Sequence, residues 1–137
     1  MQLCLKCRQP FRKFEKLFYS SKITISQFDK LSENTINKIA DAVESLATKI
    51  SRLSNLDCSY EANTLTISVE LNKIYVINKQ MPLKQIWLSS PISGPKHYDY
   101  TDSCWKNAKD SKLLSELLCE EFKLITGENI SEFENIN

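Results

Sequence analysis

Thr64-Leu65-Thr66-Ile67-Ser68-Val69-Glu70-Leu71 alternates polar and aliphatic side chains without a break. A period of two marks a strand with one buried face. Leu65, Ile67, Val69 and Leu71 are therefore assigned to a core, and Thr64, Thr66, Ser68 and Glu70 to the opposite face. Upstream, residues 57–62 read as a short strand. Ala62-Asn63 is the hairpin turn between them, with Asn63 able to take positive φ. Downstream, 74–80 is a third strand. Met81-Pro82-Leu83 ends it, because proline has no N–H for a ladder. Residues 84–90 form a fourth strand. Pro91, Gly94 and Pro95 punctuate the next turn, 96–100 resumes extended chain, and Cys104-Trp105-Lys106 is a last short strand.

Helical spacing flanks this block. Phe28, Leu31, Ile36, Ile39, Ala40, Val43, Leu46, Ala47, Ile50 and Leu53 recur in steps of three and four, which predicts an amphipathic helix over 28–53 with Ser26 as its cap. Leu113, Leu114, Leu117, Leu118, Phe122 and Ile125 predict a second helix over 112–126, stopped by Gly127. Beyond it, Ile130 and Phe133 are available to pack back. Strands in one block with a helix at each end indicate α+β. Two apolar helix stripes and one apolar sheet face give a two-layer sandwich. Both helices pack on one face of an antiparallel sheet, and the other face is left to water.

The chain has 137 residues, 42% hydrophobic and 26% charged, which suits one folded domain. No apolar run approaches the ~20 residues of a membrane helix. Two glycines cannot build a glycine-rich phosphate loop, and one histidine, His97, cannot build a His-pair zinc site. Five cysteines do not complete a disulfide framework. Cys4 and Cys7 form a CxxC, but Cys58, Cys104 and Cys119 are scattered and supply no second half of a zinc ribbon.

Charge is uneven. Residues 1–26 carry six basic side chains and one acid, a net of +5, leaving −4 for the rest. With Phe11, Phe14 and Phe18 on one helical face and few acids, residues 1–25 read as a mitochondrial-type targeting segment, and 26–137 as the domain it delivers. The alternative is a basic arm for nucleic acid or a membrane surface. The net negative domain itself argues against a nucleic-acid role.

Parity identifies the open sheet face. With Tyr75 and Ile77 inward, Val76, Asn78 and Gln80 point out. With Ile86 and Leu88 inward, Gln85, Trp87 and Ser89 point out. A tryptophan among amides on an open sheet has the composition of a binding hot spot. The alternative is that residues 93–100 cover Trp87 as ordinary core.

Tyr75-Val76-Ile77-Asn78-Lys79-Gln80-Met81-Pro82-Leu83-Lys84-Gln85-Ile86-Trp87-Leu88-Ser89-Ser90-Pro91, followed by Ser93-Gly94-Pro95-Lys96, closely resembles the signature of frataxins. Asp57 opening the first strand, Trp105 and the leucine-rich second helix agree with it, and the resemblance covers roughly residues 26–127. It implies a component of iron–sulfur cluster assembly in the mitochondrial matrix or a related organelle. That component joins cysteine desulfurase and its scaffold protein, promotes sulfur transfer and binds iron weakly. It implies partner contacts at Asn78, Gln80, Lys84, Gln85, Trp87 and His97, and an iron-binding ridge at Asp29, Glu33, Asp41, Glu44, Asp57 and Glu61. No nucleic acid or membrane partner is implied. A monomer is expected, with an iron-dependent oligomer acting as a ferroxidase or iron store as the alternative.

Two departures bear on this. His97 stands where the family usually has arginine, so a fixed guanidinium fork is replaced by a titratable ring. Asn34, Asn37, Ser45 and Thr48 stand where frataxins often place acids. Residues 28–53 then hold four acids and four bases, a net charge of zero. Iron in a site without soft ligands is held by carboxylates, and Asp29 and Glu33 share a helical face. Exposed carboxylates without convergence bind weakly, and a solvated helix face is the alternative reading. A ferroxidase site would need paired buried carboxylates of the Glu-x-x-His kind, and no glutamate lies three residues before His97.

Overall fold

The computed structural model describes residues 23–137. The segment expected to be a targeting sequence, the Cys4–Cys7 pair and the N-terminal phenylalanines lie outside the described residues, apart from 23–25. Helix α1 spans Ile25–Lys49, strands β1–β6 span Asp57–Glu61, Thr64–Glu70, Lys73–Gln80, Gln85–Ser90, Gly94–Thr101 and Cys104–Asn107, and helix α2 spans Leu114–Thr126. The six strands form one antiparallel meander in sequence order, each paired with the next. Both helices cover one face of it. The two-layer α+β expectation is the fold observed.

The differences are local and have physical causes. Helix α1 starts earlier than expected because Thr24, not Ser26, caps it. The Thr24 hydroxyl accepts from the Gln27 N–H at 3.1 Å, and the Gln27 side chain accepts from the Thr24 N–H at 2.9 Å. The helix ends at Lys49. Ile50 is extended, and a 3-10 turn over Ser51–Leu53 keeps Ile50 and Leu53 buried while the chain swings toward β1. Leu71, expected inside, is 93% exposed. The register slips between Ser68 and Glu70, and Leu71-Asn72 forms a tight turn with Asn72 at φ 92°. Ala62 joins Asn63 at positive φ, as a two-residue hairpin requires. Gly127 closes α2 at φ 74°.

The core runs from Phe28, Ile36, Ile39, Val43 and Leu46 of α1 through Leu65, Ile67, Tyr75, Ile77, Ile86 and Leu88 to Leu118 and Phe122. Trp105 crosses it, edge-on to Phe28 at 5.9 Å, with its indole N–H on Thr35 Oγ1 at 2.8 Å. Residues 128–137 return along the helices. Ile130, Phe133 and Ile136 are buried there, and Phe133 sits 4.9 Å from the Phe122 ring. At one end of the sheet the buried Glu121 carboxylate accepts from Tyr75 at 2.9 Å, Ser90 at 2.6 Å and Ser93. These bonds tie the β4–β5 turn to α2. That turn sets the β4–β5 register and so decides what lies opposite Trp87.

Candidate functional site

Strand pairing places Asn78, Trp87 and His97 side by side across β3, β4 and β5 on the face away from the helices. The His97 ring stacks on the Trp87 indole with centroids 4.2 Å apart and planes 11° from parallel. The Trp87 N–H donates to Gln85 Oε1 at 3.0 Å, and the Gln85 amide donates to Asp99 Oδ1 at 3.0 Å. On the other flank, Gln80 donates to Asn78, which donates to Thr64 Oγ1 at 2.7 Å. The indole is thus half-buried and held from both ring face and ring nitrogen. Its cover is His97, a neighbour on the same open face, and not a core layer formed by residues 93–100. Fixing an aromatic in one orientation before a partner arrives removes part of the ordering cost of binding.

The other expected contact residues divide. Gln80 and Gln85 face each other across β3 and β4 on this surface. Lys84 lies in the preceding turn at φ 52°, with its ammonium on the Ile23 carbonyl at 2.9 Å. Asp99 joins this network from a buried position, 8% exposed, and carried no sequence expectation. Burial raises its carboxyl pKa, against the hydrogen bond from Gln85 and the field of His97.

The acids expected to form one ridge lie on two surfaces. Asp57 and Glu61 pair with Ser68 and Thr64, so they point to the open face at its β1 edge. Asp29, Glu33, Asp41 and Glu44 lie on α1. Between the two sets, Cys58 and Tyr60 turn toward the helix. Asp41 and Glu44 are exposed. Asp29 and Glu33 are drawn together by Lys79 of β3, whose Nζ lies 2.6 Å from Asp29 Oδ1 and 3.0 Å from Glu33 Oε2. Tyr60 donates to the same Glu33 oxygen at 2.7 Å. Among the described residues, no three histidine, cysteine, aspartate or glutamate side chains are grouped so as to hold a metal ion.

These contacts set the titration of the cluster. The Tyr60 hydrogen bond, then Lys79, hold the Glu33 carboxyl below its ordinary 4.5. Burial and the Glu33 bond push the Tyr60 phenol up to about 12. Burial works against the Lys79 ammonium, but its bonds to Asp29 and Glu33 outweigh it and the net shift is upward. A carboxyl lowered in the folded state adds stability that is fully present above its unfolded value. That stability is lost as pH falls through the folded value. Denaturation midpoints are therefore expected to drop as pH falls below about 4.5. Glu33→Gln should flatten part of that drop. An unchanged slope in the variant would remove Glu33 from the account.

Comparisons with known proteins agree with the fold. A family profile described as a frataxin-like domain matches residues 21–128. Mitochondrial frataxin of Caenorhabditis elegans is 35% identical over 123 residues, which is 88% of this chain and 90% of that one. The mitochondrial frataxin homologue of Schizosaccharomyces pombe is 32% identical, covering 86% of this chain and 73% of that one. Among solved structures, a trimeric frataxin from the yeast Saccharomyces cerevisiae, complexed with ferrous iron, superposes with a TM-score of 0.65 at 28% identity, over 72% of this chain and 87% of that one. A frataxin from Psychromonas ingrahamii matches in fold, with a TM-score of 0.68 at 23% identity over 80% and 98% of the two chains.

Proposed function

The chain belongs to the frataxin family, and we propose that it acts in the mitochondrial matrix by seating its open sheet face on a complex of cysteine desulfurase and scaffold protein, where it promotes sulfur transfer during iron–sulfur cluster assembly. The observation that carries this reading is Trp87, braced by His97 and Gln85 near the centre of the open sheet face. A half-buried aromatic with a fixed orientation and a rim of amides on an open sheet face is built for a protein contact. Iron is cargo in this reading. The carboxylates of Asp41, Glu44, Asp57 and Glu61 would hold it singly or in pairs with water completing the shell, which gives weak binding.

Sulfide production by purified desulfurase and scaffold, with and without the protein, tests the reading. Severalfold stimulation is expected. No stimulation by the folded protein with its cognate partners would overturn it. A second reading, an iron-handling oligomer, draws on the similarity to the trimeric yeast frataxin. Light scattering during ferrous iron titration separates the two. A trimer formed on adding iron favours the second, and a monomer throughout favours the first.

A further inference from the structure

Lys79 lies in the same alternation as Tyr75 and Ile77, so its stem enters the layer between sheet and α1. Its side chain is only 2% exposed. Asp29 and Glu33 sit one helical turn apart, and their carboxylates converge on a single point, which is where a cation belongs. That point is taken by the Lys79 ammonium, 2.6 Å from one carboxylate and 3.0 Å from the other, with the Tyr60 hydroxyl closing the cluster.

We propose that Lys79 is a tethered cation that occupies the Asp29–Glu33 carboxylate pair and keeps metal ions out of it, so that metal is confined to Asp41 and Glu44 on the helix and to the β1 acids on the open face. The exclusion stands on geometry alone. The confinement rests on the iron-binding part of the proposed function. Three physical effects support exclusion. A tethered ammonium is delivered by the fold and loses no translational freedom on binding, whereas a free ion does. Displacing it would strand a buried charge without its partners, the costly way to break a buried pair. Binding beside it would set a divalent ion within a few ångströms of a like charge. Asn37, one turn beyond Glu33, supplies no further carboxylate to draw an ion in.

The test uses Mn2+ as a paramagnetic probe of the full chain, read as broadening of backbone amides. In the wild type, the amides of Asp29 and Glu33 are expected to stay sharp. In Lys79→Met, half-broadening at Asp29 and Glu33 should need at least about tenfold less Mn2+ than in the wild type. Lys30→Met removes the same unit of charge beside Asp29 without vacating the pair, and should gain nothing there. Early broadening of Asp29 and Glu33 in the wild type would overturn the proposal. So would a folded Lys79→Met that gains no broadening there, or an equal gain in Lys30→Met. If Lys79→Met fails to fold, Lys79→Gln replaces it, and the wild-type spectrum decides by itself. The two ideas fail separately. A wild type that broadens nowhere on α1 or β1, with a gain at Asp29 and Glu33 in the variant, removes the iron ridge and keeps the exclusion.

Discussion

Trp87→Ala is expected to weaken binding to the desulfurase–scaffold complex by about thirtyfold or more, the effect of truncating an interface hot spot of about 2 kcal/mol. Stimulation of sulfide production should fall with it. The fold should survive, because Trp87 lies outside the layer between sheet and helices. Its loss there removes the stack on His97 and one hydrogen bond, about 1 kcal/mol of stability. His97→Ala separates contact from bracing. It keeps the indole and releases it, so its effect should be smaller than that of Trp87→Ala. A folded Trp87→Ala variant with wild-type affinity in calorimetry would move the interface off this face.

Removing residues 129–137 is expected to be the most damaging change to the fold itself. Ile130, Phe133 and Ile136 are 8%, 0% and 1% exposed. At about 1.5–3 kcal/mol for each buried side chain, the segment contributes on the order of 5 kcal/mol or more. Polar ties add to it. Lys38 reaches the Asn137 carbonyl at 3.0 Å, the Asn137 side chain accepts from the Trp105 backbone N–H at 3.3 Å, and Lys49 pairs with Glu132 at 3.2 Å. Total stabilities of such domains are about 5–15 kcal/mol. The truncated chain should therefore unfold near physiological temperature or lose about 20 °C in Tm. Phe133→Ala alone should cost about 3–5 kcal/mol. A truncated protein melting within a few degrees of the full chain would mean that the helices close over the gap without the segment.

The strands were legible because their alternation is long and the turns from β1 to β5 carry proline, asparagine or glycine. Leu71 misleads because a hairpin turn can interrupt a perfect alternation at its last residue. Thr24 and Ser26 are equally plausible caps by type, and only Gln27, three residues after Thr24, separates them. Lys79 is the instructive omission. Assigning Tyr75 and Ile77 to the core puts Lys79 there by the same parity, yet its charge hides that consequence until Asp29 and Glu33 are seen to meet it. The same parity separates Asp57 and Glu61 from the helix acids. The His97 stack depends on the β4–β5 register, which the buried Glu121 helps to hold from another element. No pattern within either strand specifies it.

Residues 130–136 are made after everything they cover. A chain emerging from the ribosome, or threaded through a narrow membrane pore with its amino end leading, presents an open groove between its helices until that segment follows. Until then it lacks three core side chains and cannot lock its packing. Such a chain is expected to stay loose and accessible to chaperones until the segment arrives. It becomes resistant to unfolding only once residue 136 has arrived.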